Sequence, residues 1–298
     1  MRVQTQSGLE IIVVDNASTD TSVAYITKQY PEVKVIQLEQ NNGFAAAVNQ
    51  GILQSSAPLI ALLNNDTEVE PKWAEALVQA AMQHSQASLF ASKMVTFNDH
   101  SILDSCGDAM TWTGRSYKIG EGEKDQGQYD TSHEVFGACA GAAAYRREVF
   151  TKIGLFDETF FAYLEDVDID FRAQLAGLHC YFVPEAIVAH IGSATSGRDS
   201  RFAFQQMIKN HFYLIYKNYP STMLRKHLGK LFYAEIRLIA ASIRDHRLAT
   251  YVAGVYQAVR EFPQMNQKRA STQATRVATD AQLNEVIAPH FHYGHSGK

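Results

Sequence analysis

Cysteine is scarce: three in 298 residues, at Cys106, Cys139 and Cys180. An odd, sparse set does not build a disulfide framework, and it suits a reducing compartment. The three are not spaced as a zinc site either. Long apolar runs are missing, and none reaches the ~18 residues of a transmembrane helix. The most apolar C-terminal stretch, LFYAEIRLIAASI, is broken by Glu235 and Arg237. Polar residues follow Met1 where a secretory signal would place an apolar core. Charged residues make up 19% of the chain, below the usual quarter. No GxxxxGK(S/T) or GxGxxG loop occurs where a phosphate site would need one, and no GxSxG elbow appears. Kinase, dehydrogenase and serine-hydrolase readings therefore lack their carriers. No internal repeat is visible.

What is present is ample apolar content, 46%, enough to bury a core in one large or two smaller domains. The net charge of −4 is a cancellation. Residues 1–200 hold 13 Lys and Arg against 26 Asp and Glu, while residues 201–298 hold 14 against 5. An acidic body argues against nucleic acid as a partner, and the basic tail is left to meet an anionic surface.

The order of elements reads as α/β. The β-branched run Ile11–Val14 predicts a buried strand, followed by the DNASTD turn and a short helix over Thr21–Gln29. Val33–Leu38 reads as a strand, Phe44–Gln54 as a helix, Leu59–Leu63 as a third strand and Pro71–His84 as a helix. Such alternation predicts right-handed crossovers and a mostly parallel sheet flanked by helices, with ligands beyond the carboxyl ends of the strands. Residues 88–135 read as short strands and loops, RREVF as a helix start, and Leu164–Gly177 as a helix. Tyr181–Val183 and Ile187–His190 read as two short strands. From about Asp199 the pattern is helical, basic and aromatic, and residues 264–282 look most like a linker. This divides the chain into a body, 1–200, and a helical extension, 201–298.

Asp15 follows a buried strand, where a carboxylate can meet a base or ribose or can simply cap a turn. Asn64-Asn65-Asp66 ends the strand LIALL, and a carboxylate there can hold Mg²⁺ or Mn²⁺ on a diphosphate. Glu165, Asp166, Asp168 and Asp170 crowd one helix mouth. Asp166 and Asp170 share a face, and Asp168 can pair with Arg172. Four acids in six residues exceed what the helix dipole needs, so a general base fits here. His190 ends a short strand. The tail histidines His290, His292 and His295 read as a solvated tail.

Five segments in this order resemble family 2 glycosyltransferases of the GT-A fold, in particular the rhamnosyltransferase-like branch: IIVVDNASTD, NNGFAAAVNQGI, LLNNDTEVEP, GLFDETFFAYLEDVDIDFRAQLAG and AHIGSATSG. The resemblance implies inverting transfer of a sugar from a nucleotide-diphosphate donor to a glycan or lipid-linked acceptor in cell-surface polysaccharide synthesis, with Mg²⁺ or Mn²⁺. By that resemblance Asp15, Asn42, Gly43, Asn64 and Asn65 line the nucleotide, and Asp66 and His190 hold the metal. Asp166 is the general base beside Glu165, and FGACAGAAAYRREVF forms the acceptor-side wall. The chain departs from the family at its start. Met1–Glu10 is too short for the strand and helix that the family places before Ile11, and Arg2–Gln6 could pair at best as a short strand. That departure implies weak nucleotide binding or poor activity, and it keeps open a non-catalytic, nucleotide-sugar-binding scaffold. Glycoside hydrolysis by two carboxylates leaves the nucleotide-side motifs unexplained. In the tail, aromatics recur among cations, RFAFQQMIKNHFYLIYKNYP and then LRKHLGKLFYAEIRLIAASIRDHR. Two readings stand: aromatics packed on the body with solvated cations, or a peripheral contact with the inner face of the membrane. The expected location is cytoplasmic.

Overall fold

The computed structural model describes residues 1, 3–192 and 200–287. The end of AHIGSATSG and the three tail histidines lie outside them. The chain begins with β1 (Ile12–Asp15), α1 (Ser22–Gln29), β2 (Lys34–Gln37), α2 (Phe44–Gln54), β3 (Leu59–Leu63), β4 (Thr67–Val69) and α3 (Trp73–Gln83). Then follow β5 (Ala87–Thr96), β6 (Leu103–Ser105), β7 (Asp108–Met110), β8 (Ser116–Lys118), β9 (Glu134–Val135), β10 (Ala142–Arg146), α4 (Arg147–Ile153) and α5 (Glu165–Leu175). β11 (His179–His190) closes the body. The extension is α6 (Arg201–Asn218), α7 (Ser221–Arg244), α8 (Leu248–Arg260), α9 (Phe262–Ala274) and α10 (Asp280–Val286). Residues 3–6 form no strand.

The main sheet runs β3-β10-β5-β11-β4, with β6 beside β5 and β9 beside β11. It is mixed rather than mostly parallel. β5–β11 is parallel, whereas β3–β10, β10–β5 and β11–β4 are antiparallel. Along that order β10 and β4 are the two reversed strands, and β4 is reversed because a three-residue turn after β3 leads directly into it instead of through a crossover helix. β1 and β2 pair in parallel with each other as a separate two-stranded sheet. Among the described residues, β1 and β3 each keep one edge without a strand.

β5 is one long central strand where short pieces were expected. Its alternate residues feed two layers: Leu89, Ala91 and Val95 face α2, α4 and α5, while Phe90 and Met94 face α3. Ser92 and Lys93 interrupt the apolar pattern in the sequence, yet both are buried with partners. Trp73 donates to Ser92 Oγ at 2.9 Å, and Lys93 Nζ reaches Asp125 at 2.7 Å and Asp130 at 2.8 Å. β11 likewise joins the two expected short strands through a register shift between Val183 and Ile187.

The extension is not a tether. Tyr213 and Leu214 of α6, Tyr219 just after it, Met265 of α9 and Leu283 of α10 share one core with Phe160, Val167 and Phe171 of the body. The linker reading of residues 264–282 is corrected by the same packing. Arg269 and Gln273 donate to the last carbonyls of α6, Arg269 to Tyr219 O at 2.8 Å and Gln273 to Asn218 O at 2.9 Å. These polar side chains satisfy acceptors that a helix C-terminus leaves open.

Candidate active site

Two loops form the first corner. The Asp15 carboxylate accepts the backbone N–H of Ser18, at 3.3 and 3.2 Å, so it closes its own turn. The link between the loops is Asn16, which the sequence did not single out. Its amide donates to Asn41 Oδ1 at 2.9 Å and to Gly43 O at 3.1 Å, and its oxygen accepts from Asn42 N at 3.0 Å. Gly43 has φ of +87°, and a Cβ there would lie 2.4 Å from Phe161 O. No other residue fits that conformation and that approach. Beside this corner a cavity of about 360 Å³ is lined by Leu38, Asn42, Ala46, Gln50 and Glu158.

The second corner lies where β3, β6, β8 and β11 end. His190 Nε2 is 3.5 Å from Asp66 Oδ1, and its Nδ1 is 2.8 Å from Asp104 Oδ2. Lys118 Nζ meets the same Asp104 oxygen at 2.9 Å. Burial acts to raise the Asp104 carboxyl, but the hydrogen bond from His190 and the ammonium of Lys118 outweigh it and hold it at about 2. Burial also opposes the Lys118 charge, and Cys139, Asp104 and Asp108 around it raise it nonetheless. A histidine whose second nitrogen is fixed by a carboxylate has the arrangement of a metal ligand with its outer support. Two ligands of one divalent ion lie about 3–4 Å apart at ordinary metal–oxygen and metal–nitrogen distances, so Asp66 and His190 fit one ion. No group of three or more His, Cys, Asp or Glu suited to a metal occurs among the described residues.

The third corner is the mouth of α5. Asp166 Oδ2 accepts from Ala140 N at 3.4 Å and Oδ1 from Val167 N at 2.9 Å. Burial raises its carboxyl, against those two backbone donors. Glu165 is buried behind it, with Oε2 unpartnered among the described residues. Burial first and the Asp166 charge second push Glu165 well up. Asp170 accepts from Ala138 N at 3.1 Å. Its burial, with Asp108 and Asp166 nearby, lifts it well above the carboxylate range. Gly137 is obligatory beneath it, since a Cβ there would lie 2.0 Å from Asp170 Oδ2. Asp168, by contrast, is structural. It is fully buried and accepts from Arg172, Lys217 and Asn218, each at 2.9 Å.

The segment 137–141 joins the second and third corners. Ala140 N points to Asp166, and Gly141 O accepts from Asn64 N at 2.9 Å. Asn64 and Asn65 thus sit in the turn that carries Asp66, backed by this wall, and Thr67 Oγ1 closes that turn on Asn64 O at 2.6 Å.

The loop before α5 is strained, with φ of +64°, +70° and +66° at Phe161, Tyr163 and Leu164. Strain of this kind persists only where the surroundings over-determine it. Here α6 does so. The buried Asn210 amide donates to Phe160 O, Ala162 O and Tyr163 O at 2.9, 2.9 and 2.6 Å. Lys209 donates to Thr159 O at 2.8 Å, and Lys217 bridges Asp157 and Asp168 at 2.7 and 2.9 Å. Sequence reasoning missed Asn16, Asp104, Lys118, Asn210 and Lys217. Only Asn210 and Lys217 left a signal, as polar residues seven apart on an aromatic helix, and hence on one face.

Acidic turns at strand ends, an acidic helix mouth and one shared backbone wall come together on an α/β scaffold of the GT-A class. GalNAc-T7, solved with UDP, GalNAc and Mn²⁺, shares this fold at a TM-score of 0.53 and 18% identity, over 80% of this chain and 52% of its own. The chain belongs to glycosyl transferase family 2, whose model matches residues 1–154. An N-acetylglucosaminyl-diphospho-decaprenol L-rhamnosyltransferase of Mycobacterium tuberculosis is 26% identical over 228 residues, 67% of this chain and 72% of that protein. The O-antigen biosynthesis protein RfbC of Myxococcus xanthus is 26% identical over 64% of this chain and 16% of its own length.

Proposed function

We propose that this glycosyltransferase moves a sugar, rhamnose-like or another hexose, from a nucleotide-diphosphate donor to a glycan or lipid-linked acceptor, with inversion, in cell-surface polysaccharide synthesis. The carrying observation is Asp166, a carboxylate at a helix mouth whose basicity is raised by burial and whose orientation is fixed by the N–H groups of Val167 and Ala140. Asp166 accepts the proton of the acceptor hydroxyl as that oxygen attacks the anomeric carbon from the face opposite the leaving diphosphate. Asp66 and His190 would hold a divalent cation, Mg²⁺ or Mn²⁺, whose charge neutralises that leaving group. Asp15, Asn42 and Gly43 supply the nucleoside side, with Asn16 keeping their two loops together, and Asn64 and Asn65 supply the turn beside the diphosphate. Glu165 lies beside the base as a buried carboxyl that burial and the Asp166 charge push toward its neutral form. The acceptor for which the mycobacterial relative is named, a decaprenyl-diphosphate-linked sugar, supports a lipid-linked acceptor and work at the cytoplasmic face of a membrane.

One observation favours a weaker second reading, a nucleotide-sugar binder with little turnover. The Asp15 turn and the Asp66 turn belong to sheets that share no hydrogen-bonded strand pair, so the nucleoside and diphosphate corners are not held by one ladder. Donor turnover with a panel of nucleotide sugars and Mn²⁺ decides between the two. Transfer abolished in Asp166→Asn, with donor binding retained, supports the enzyme with this base. Unchanged turnover in that variant removes Asp166 from the role, and donor binding without turnover in the wild type establishes the second reading.

A further inference from the structure

The extension treats its aromatics in two ways. On α6 Tyr213 is buried and Phe212 and Tyr216 are half-buried, whereas Phe232 and Tyr233 of α7 and Tyr256 of α8 face solvent. Leu228, Phe232, Ile236 and Ile243 of α7 are 64, 67, 48 and 55% exposed. Their spacing puts them on one stripe of the helix. Lys226, Lys230, Arg237 and Arg244 form a second line, roughly a third of a turn from the first at 3.6 residues per turn. The helix has one acid, Glu235, and its carboxylate is drawn to His211 and the Tyr251 hydroxyl. α8 contains no acid, and its Val252 and Tyr256 are 55 and 68% exposed. No described helix is long and apolar enough to cross a membrane.

We infer that the outer face of α7, extended by α8, docks in the plane of an anionic lipid surface. An apolar stripe enters the headgroup boundary and the flanking cations meet lipid charge. Charge complementarity selects this occupant. A second copy pairing α7 with α7 in antiparallel fashion would place one cationic line against another, which costs energy, and a parallel pair would leave the cations without a counter-charge. The acidic body, 13 cations against 26 anions in residues 1–200, is repelled by the same lipid. The molecule therefore lies with the extension down and the body away from the surface. The inference does not depend on the transfer reaction, because binding is read without donor.

The test is co-sedimentation of the full chain with vesicles of phosphatidylcholine alone or with 30 mol% phosphatidylglycerol. The expected result is partition onto the anionic vesicles only, weakening as salt is raised. Lys226→Gln with Lys230→Gln lowers the partition coefficient about thirtyfold, and Phe232→Ser with Ile236→Ser lowers it at least tenfold. Thermal unfolding of each variant within a few degrees of the wild type shows that the fold is intact. Equal binding to neutral and anionic vesicles overturns the inference. So does no binding to either, or a concentration-dependent dimer in sedimentation velocity that the Phe232 and Ile236 variants abolish while vesicle binding stays absent.

Discussion

Replacing Asn210 by alanine isolates what α6 does for the site. Asn210 is fully buried and lies against the carbonyls of residues 160, 162 and 163. A primary amide has two N–H bonds, so three acceptors share two donors. At about 0.5–1.5 kcal/mol net for each hydrogen bond, the loss amounts to roughly 1–3 kcal/mol. The loop these bonds hold contains three non-glycine residues at positive φ, each costing about 1–2 kcal/mol. The stored strain, roughly 3–6 kcal/mol on that scale, exceeds the loss of the clamp. The loop should therefore relax locally while the domain stays folded. Urea unfolding should show a decrease of about 1–3 kcal/mol. Hydrogen exchange at residues 161–164 should accelerate before that of β5. Since Asp166 follows directly on this loop, a displacement of about 1 Å should lower turnover on the order of a hundredfold, with donor binding little changed. Unchanged exchange in the loop together with unchanged turnover would refute the reasoning. So would loss of the global fold with no faster exchange confined to residues 161–164.

Two further outcomes follow from single contacts. Gly43→Ala places a methyl group 2.4 Å from Phe161 O at φ of +87°, so the two loops must part. Nucleotide affinity, measured by calorimetry, should fall tenfold or more, and stability by about 1–3 kcal/mol; an affinity equal to wild type would contradict the packing. Asp157 is buried, which raises its carboxyl, but Lys217 and Lys268 outweigh burial and lower it well below its model-compound value of 3.8. The folded state thus binds this proton more weakly than the unfolded chain. The stabilisation is fully present above that value and is lost as the pH falls below it toward the folded-state pKa. Asp157→Asn should accordingly lower stability at pH 6 and flatten its fall between pH 5 and 3 in urea titrations. Parallel pH profiles for the two proteins would show that the ion pairs contribute nothing.

Much of the body was legible because local chemistry decides it. Phe44–Gln54 and Leu59–Leu63 came out with the same bounds in sequence and structure. Asp168 and Arg172 pair as their i, i+4 spacing requires. β5 was illegible because Ser92 and Lys93 look polar until Trp73, Asp125 and Asp130 are placed around them. Residues 264–282 looked like a linker because their polar side chains serve the C-terminus of α6, a partner some 50 residues earlier.

The sequence by itself determined the α/β alternation and the family and marked Asp66 and Asp166 as candidates, since periodicity and short motifs are properties of neighbouring residues. Tertiary structure alone decided what each acid does. Asp168 is neutralised by Lys217, Asp170 is pressed against Gly137, and Asp166 keeps a half-buried carboxylate. It alone also brought Asp104 and Lys118 to His190 and folded α6 over the strained loop. Burial and long-range pairing set the charge and reach of a carboxylate, and neither is encoded in its immediate neighbours.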